Sequence, residues 1–340
     1  MKAAVVTKDR KLQVMNISDP QPGPYQCLVK IDACAICTGT DSNIISGNFP
    51  WLVETPFVLG HESTGLVVKV GEKVRNFRVG DRVTRPAGIL PGERRDGIGS
   101  NWGGFAEWGL VVDTDAAKAA GLTCSGMIES SRRSLPSDVD PVSAALSVNQ
   151  REILSVVEKL RVGPQSRVVV LGSGYNGLLF SLFLKTAGAG CVLLTGSAGR
   201  ESLARKTFEA DLFLDYKQEH SARDIERLLG GKPDYVIDAV GTQRSMGLAQ
   251  RVLGPQSVFG RYGLHEFDRI GPLADQIRSR HKVLELSADE VSATEKWICL
   301  WRKGFFDRPG MCDGTVPLDE IGSAFERLAR REALKLVVTM

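Results

Sequence analysis

Through the first 140 positions, apolar residues come in short runs, each closed by glycine, proline or aspartate. Lys2–Thr7, Cys27–Cys34, Gly65–Val70 and Phe105–Val112 have this form, and Asp19-Pro20-Gln21-Pro22-Gly23-Pro24 and Val79-Gly80-Asp81 punctuate them. Many short strands joined by turn residues predict a compact, β-rich, barrel-like unit. Ala116–Ser134 carries neither a strand nor a helix period and reads as an excursion from that unit.

From Pro141 the period changes. Within Val142–Leu160, apolar residues recur at helical spacing at Leu146, Ile153, Leu154, Val157 and Leu160, and Gly163-Pro164 ends the run. A β-branched run, Arg167–Leu171, leads into a glycine turn and a helix to about Ala187. Then follow strand Gly190–Thr195, helix Glu201–Ala210, strand Leu212–Asp215, helix His220–Leu229 and strand Tyr235–Ala239. Alternating strands and helices predict an α/β unit, a doubly wound parallel sheet covered on both faces. The long apolar stretch Val168–Leu184 is broken by Gly172, Gly174, Asn176 and Gly177. It falls short of the roughly 20 clean apolar residues of a membrane helix, so a buried strand, turn and helix explain it.

Composition narrows the class. A chain of 340 residues has room for two domains of the usual size, about 100–200 residues each. With 43% hydrophobic and 24% charged residues it reads as globular. The net charge of +3 is small, and the pairs Arg94-Arg95, Arg132-Arg133 and Arg330-Arg331 are scattered, so they read as solvated surface and no nucleic-acid partner is expected. Seven irregularly spaced cysteines and a strand-like start, Met1–Val6, fit a reducing, cytoplasmic setting and no membrane partner.

Two motifs carry chemistry. The first is Gly172-Ser173-Gly174-Tyr175-Asn176-Gly177, which follows a buried-type strand and opens a helix. The first glycine permits the turn, the second lets a pyrophosphate approach the backbone, and the third lets helix and strand pack closely. A purely structural glycine turn is the competing reading. At the end of the next strand, where NAD enzymes carry an acid for the ribose 2′-hydroxyl, this chain has Gly196, then Ser197 and Arg200. Glycine leaves room for a 2′-phosphate, Ser197 can donate to it, and Arg200 or Arg205 can pair with it, which favours NADP(H) over NAD(H). Against this, Arg200 can simply begin an exposed helix.

The second motif is Cys37 with Gly60-His61-Glu62. A thiolate, an imidazole and a carboxylate can hold a catalytic zinc and leave one position open. Cys34 and Cys37 also form a Cys-x-x-Cys pair, but no thioredoxin-like unit surrounds it, and the absence of a second pair excludes a four-cysteine zinc. A metal beside a nicotinamide points to redox chemistry of alcohols or carbonyls.

With these residues the chain resembles the medium-chain, zinc-dependent alcohol dehydrogenase superfamily, including its polyol and threonine dehydrogenases. The resemblance covers nearly the full length. It rests on Gly60-His61-Glu62, Gly65, Val67–Gly71, Val79-Gly80-Asp81-Arg82-Val83, Gly103-Gly104-Phe105-Ala106-Glu107, the glycine turn, Val236–Gly241 and the closing Lys335-Leu336-Val337-Val338. It implies a GroES-like catalytic domain over 1–145 and 292–340 and a Rossmann domain over 146–291. It implies Cys37 and His61 as zinc ligands, Glu62 as the neighbouring carboxylate that coordinates directly or swings in during turnover, Asp41 as the acid that orients the histidine, and Thr40 as the hydroxyl that relays the substrate proton. Val240 then belongs to the cofactor site.

Departures from the family pattern add to this. An extra residue makes Cys37-Thr38-Gly39-Thr40-Asp41, so Thr38 can share the relay. The usual proton-releasing histidine falls on Asn43. The family's further ligand falls near Ser147-Val148, neither of which suits zinc; Glu152, one turn on, either substitutes or is surface. The lobe Pro86–Asn101 has no cysteine, so no structural zinc is expected. His265, Phe49 and Trp51 are pocket candidates, Trp102, Trp297 and Trp301 are core or pocket, and His220 and His281 are surface.

The expected function is a zinc-dependent oxidoreductase that moves hydride between a secondary alcohol or polyol, or the matching ketone, and NADP(H). Two alternatives stay open: a zinc-free NADPH-dependent quinone or enone reductase of the same fold, and a non-catalytic nucleotide-binding protein. A homodimer or homotetramer is expected, with Ser257–Tyr262 and Lys282–Leu286 as edge strands that pair across a two-fold axis.

Overall fold

The structure is a computed structural model, and it describes residues 1–49, 53–124, 134–218, 222–266 and 269–340. Trp51, Arg132, Arg133 and His220 lie outside the described residues.

The second half forms a six-stranded parallel sheet. Its order is Leu212–Asp215, Cys191–Gly196, Arg167–Leu171, Tyr235–Asp238, Val258–Arg261 and Lys282–Glu285. The strand Arg167–Leu171 explains why the sheet is covered on both faces. Val168 and Val170 join one core with Val192 and Leu194, while Val169 and Leu171 join a second with Leu193. Alternate side chains point to opposite faces, so a strand apolar at every position must be buried twice. Strand order reverses between Arg167–Leu171 and Tyr235–Asp238, which opens a crevice at the carboxyl ends of both.

The β-rich part holds a five-stranded and a seven-stranded sheet. Its spine is the ten-residue strand Gln26–Ala35. Ala35 pairs with Glu62 on one side, and Cys34 pairs with Val338 on the other. The last strand, Val337–Thr339, thus returns to the first half of the chain. Ile36 continues the pairing by donating to the Leu336 carbonyl at 3.0 Å. This register brings Cys37, Glu62 and Lys335 to the ends of three neighbouring strands.

The helix Pro141–Leu160 starts where Asp140 caps it, accepting from the Ser143 amide, with proline in the first turn. It packs on the strands Gln26–Ala35 and Glu62–Val70 and on the helix Tyr175–Thr186. The expected domain boundary at 145/146 falls inside this helix. The helix Glu201–Lys206 stops short of the expected Ala210, and Glu209 adopts a left-handed φ of 58°. Among the described residues, no helix is long and apolar enough to cross a membrane.

Candidate active site

A cleft of about 710 Å³ lies between the β-rich part and the carboxyl end of the parallel sheet. Its walls include Cys37, Thr38, Thr40, His61, Asn149, Glu152, Gly174–Gly177 and Val240. The two sequence motifs therefore meet in one space.

Ligand atoms of Cys37, His61 and Glu62 lie within 4.8 Å of one another. The residue before the histidine must be glycine. Gly60 has a φ of 95°, and a Cβ there would sit 2.5 Å from the Phe105 nitrogen. Asp41 is wholly buried; its Oδ2 accepts from the Cys37 amide at 3.0 Å, and its Oδ1 stands 3.5 Å from His61 Nδ1. Lys335 Nζ donates to Glu62 Oε2 at 2.6 Å and to the Ile36 carbonyl at 3.0 Å. Arg85 Nη1 donates to the His61 carbonyl at 2.6 Å, and its Nε donates to Glu290 Oε1 at 2.9 Å.

Among the described residues, Glu62 Oε1, His61 Nδ1 and Asp41 Oδ1 are buried without a hydrogen-bond partner, the last two facing each other 3.5 Å apart. Such orphans are costly and rare, and three at one point need a physical explanation. Burial opposes a charged imidazole, yet Asp41 and Cys37 outweigh it and push the His61 pKa well above its usual value. The site therefore attracts positive charge. Its donor set of thiolate, imidazole and carboxylate fits zinc.

The relay candidates are both on the cleft wall. Thr40 is the N-cap of the helix Asp41–Ser46, but its side chain makes no capping bond, so its hydroxyl is not used up there. Asn43 is buried, and its Nδ2 donates to the Gly39 carbonyl at 2.6 Å, closing the ligand loop. Glu152 is neither surface nor part of the ligand cluster. Arg85 Nη2 donates to its Oε1 at 2.6 Å, and Tyr262 Oη donates to its Oε2 at 3.3 Å. Burial raises its pKa against the pull of Arg85. Ser147 and Val148 are fully buried within the helix.

The glycine turn has the shape a dinucleotide needs. Gly172 has a φ of 108°, and a Cβ on Gly177 would lie 1.9 Å from the Gly172 carbonyl oxygen. A Cβ on Gly174 would meet nothing within 4 Å, because it would project into the open cradle at the start of the helix Tyr175–Thr186. Tyr175 and Asn176 both line the cleft; the Tyr175 ring is largely buried beneath Lys335, 5.0 Å from its Nζ, and its hydroxyl accepts from Gln150. Val240 also lines the cleft, and its amide donates to Asp238 Oδ1 at 2.9 Å.

At the second strand, packing gives Gly196 a reason of its own. A Cβ there would fall 2.1 Å from Ser173 Oγ, the atom that accepts from the Ser197 amide at 3.3 Å. Arg205 is engaged by Glu201 at 2.9 Å and by the Asp211 carbonyl at 2.6 Å. Arg200, half-buried at the end of a short 3-10 turn, is the freer of the two.

Phe49, Trp102 and the exposed His265 line the cleft, and the Trp102 ring lies 5.5 Å from that of His61. Trp297 is core, donating to Gln150 Oε1 at 2.7 Å. Arg85, Lys335, Asn149, Tyr262 and Glu290 were not singled out by sequence reasoning. Lys335 had a signal: a lone cation inside the apolar run Ala333–Val338 needs a buried partner. The others had none, because their partners come from distant segments.

Residues 23–121 match the family model for the alcohol dehydrogenase GroES-like domain. Sorbitol dehydrogenase of Ovis aries is 31% identical over 243 residues, 69% of this chain and 67% of its own length. D-arabinitol dehydrogenase 1 of Uromyces fabae is 24% identical over 349 residues, 99% of this chain and 97% of its own. A crystal structure of a zinc-binding dehydrogenase from Sinorhizobium meliloti 1021 bound to NADP superposes with a TM-score of 0.78 at 27% identity, covering 100% of this chain and 99% of that one.

Proposed function

The chain belongs to the medium-chain, zinc-dependent alcohol dehydrogenase superfamily, and on that premise we propose that it interconverts a secondary alcohol or polyol and its ketone with NADP(H), at one zinc held by Cys37, His61 and Glu62. It is an oxidoreductase of CH–OH groups. The carrying observation is the convergence of the three ligand atoms, within 4.8 Å, on the cleft that also holds the glycine turn.

A zinc ion there would supply a Lewis acid to the substrate oxygen and lower the pKa of the alcohol. The protein's own groups do the rest. Asp41 fixes the Cys37 backbone and faces His61, so both ligands keep their aim. Lys335 holds one Glu62 oxygen and leaves the other toward the ligand cluster. Thr40, with Thr38 beside it on the cleft wall, takes the hydroxyl proton outward. Phe49 and Trp102 give the cleft an apolar, aromatic wall. The glycine turn and Val240 set the cofactor against the substrate.

NADP(H) is favoured because no acid can occupy position 196 without displacing Ser173, and Arg200 stands close by. One zinc per chain is expected, since residues 86–101 contain no cysteine. We assign 1–145 with 292–340 to catalysis and 146–291 to the nucleotide, and the assembly to a homodimer or a homotetramer built from it.

The test is metal analysis combined with an alcohol and polyol panel. Wild-type protein should carry one zinc per chain and turn over secondary alcohols with NADP⁺. Cys37→Ser should lose zinc and activity together. Full activity after exhaustive chelation would overturn the zinc reading in favour of the zinc-free reductase.

A further inference from the structure

The strand Arg82–Thr84 pairs with the strand that begins at Glu62, Thr84 opposite Thr64. Arg85 extends that pairing by one hydrogen bond, its amide donating to the Ser63 carbonyl at 2.7 Å. The chain then turns away through a left-handed φ of 52° at Arg85, which residues other than glycine seldom adopt. Such a conformation persists where the surroundings hold the residue in place.

Arg85 is held through its side chain. Only 6% of the residue is exposed. Its Nη1 donates to the His61 carbonyl at 2.6 Å, its Nε to Glu290 Oε1 at 2.9 Å and its Nη2 to Glu152 Oε1 at 2.6 Å. The two carboxylates are themselves fixed. Arg151, wholly buried, stands 3.5 Å from Glu290 Oε2, and Tyr262 donates to Glu152 Oε2 at 3.3 Å. Burial disfavours the charge on Arg85, but Glu290 and Glu152 outweigh it and raise its pKa above the usual value. A planar guanidinium gripped along two edges has one direction left for its remaining N–H groups, and they meet the backbone of a ligand residue.

His61 depends on such a hold. Gly60, immediately before it, has a φ of 95° and no side chain to pack. Asp41 faces the imidazole Nδ1 from 3.5 Å, longer than a normal hydrogen bond. The ring's aim therefore follows from where the backbone puts it. We propose that Arg85 is a positioning residue for the metal site: it fixes the His61 carbonyl, and Glu152 and Glu290, which stand outside the ligand cluster, fix Arg85. Glu290 lies between the last strand of the parallel sheet and the helix Thr294–Arg302, and Tyr262 follows the strand Val258–Arg261. The packing of the two halves of the chain thus bears on one ligand. This rests on the zinc reading of Cys37, His61 and Glu62.

The test puts cobalt(II) in place of zinc in the full-length protein. Zinc has a filled d shell and is spectroscopically silent, whereas the visible bands of cobalt report the geometry of its ligands. Cobalt affinity, the visible spectrum and NADPH affinity are measured for wild-type protein, R85M and E290Q. R85M removes the donors and keeps an unbranched side chain; E290Q keeps the shape and an acceptor but drops the charge. Partners that orient a metal ligand are worth about 10–100-fold in metal affinity. R85M should lose cobalt affinity in that range with altered bands, and E290Q should move both in the same direction by less. NADPH affinity should stay near wild type in both.

Wild-type affinity and spectrum in either variant overturn the proposal. So do parallel losses of cobalt and NADPH binding, the mark of a merely structural role. Should R85M fail to fold, E290Q decides alone. Wild-type protein that binds neither zinc nor cobalt in stoichiometric amount would overturn the zinc reading, and this proposal with it.

Discussion

Glu62 is wholly buried; one carboxylate oxygen meets Lys335 Nζ at 2.6 Å and the other has no hydrogen-bond partner among the described residues. Replacing Lys335 by methionine would keep the packing and strand the carboxylate. Breaking a buried pair from one side costs about 3–5 kcal/mol. Lys335→Met should therefore lower the stability of the metal-free protein by about that amount in urea unfolding, and zinc should recover part of it. A loss under about 1 kcal/mol would mean that Glu62 takes up a proton instead and that its charge is not held by the lysine. Arg200 tests the cofactor preference at the same scale. One charged phosphate contact is worth about 1.5–3 kcal/mol, or roughly 10–150-fold in affinity. Arg200→Ala should weaken NADPH by an amount in that range and leave NADH nearly unchanged, as read by titration of cofactor fluorescence. Equal losses for the two cofactors would show that Arg200 does not read the phosphate.

At the scale of the element, the strand–turn–helix around Gly172 separates folding from binding. Gly177 is in contact with its own turn, and an added Cβ would lie 1.9 Å from the Gly172 oxygen. Gly174 faces open space. Gly177→Ala should therefore lower the melting temperature and cofactor affinity together. Gly174→Ala should leave the melting temperature within a few degrees of wild type and still weaken NADPH roughly ten-fold or more, because the methyl occupies the cradle where the pyrophosphate must approach the amides. Calorimetric titration beside thermal unfolding distinguishes the two. Normal NADPH affinity in Gly174→Ala would remove the turn from the cofactor site.

At the scale of the molecule, the strand Lys282–Glu285 is the last in the parallel sheet, paired on one side by Val258–Arg261. Its other edge is open among the described residues. An unpaired edge invites pairing with another copy, and antiparallel pairing of two such edges around a two-fold axis satisfies both. Light scattering at micromolar concentration should give a mass of twice 36.9 kDa or a higher multiple. A mass near 36.9 kDa would rule the assembly out and leave the neighbouring charges Arg280 and Lys282 as the edge's protection.

Much of this protein is legible in its sequence, for local reasons. The unbroken β-branched run in Arg167–Leu171, helical spacing in Val142–Leu160 and glycines at 172, 174 and 177 each follow from sterics and burial over a few residues. Cys37, His61 and Glu62 carry their ligand chemistry wherever they stand. Other features were decided by pairing between distant segments. That Glu62 is gripped by Lys335, 273 positions away in the chain, follows from the last strand returning to the spine strand. Glu152 reads from sequence as a ligand or as surface, but Arg85 and Tyr262 hold it as part of the cleft wall. Asn149 is an ordinary helix residue in sequence, and only the tertiary fold leaves its amide oxygen buried without a partner among the described residues. Sequence determines which groups are available; the long-range register of the sheets decides which of them face each other, because a buried polar atom takes its meaning from the groups around it.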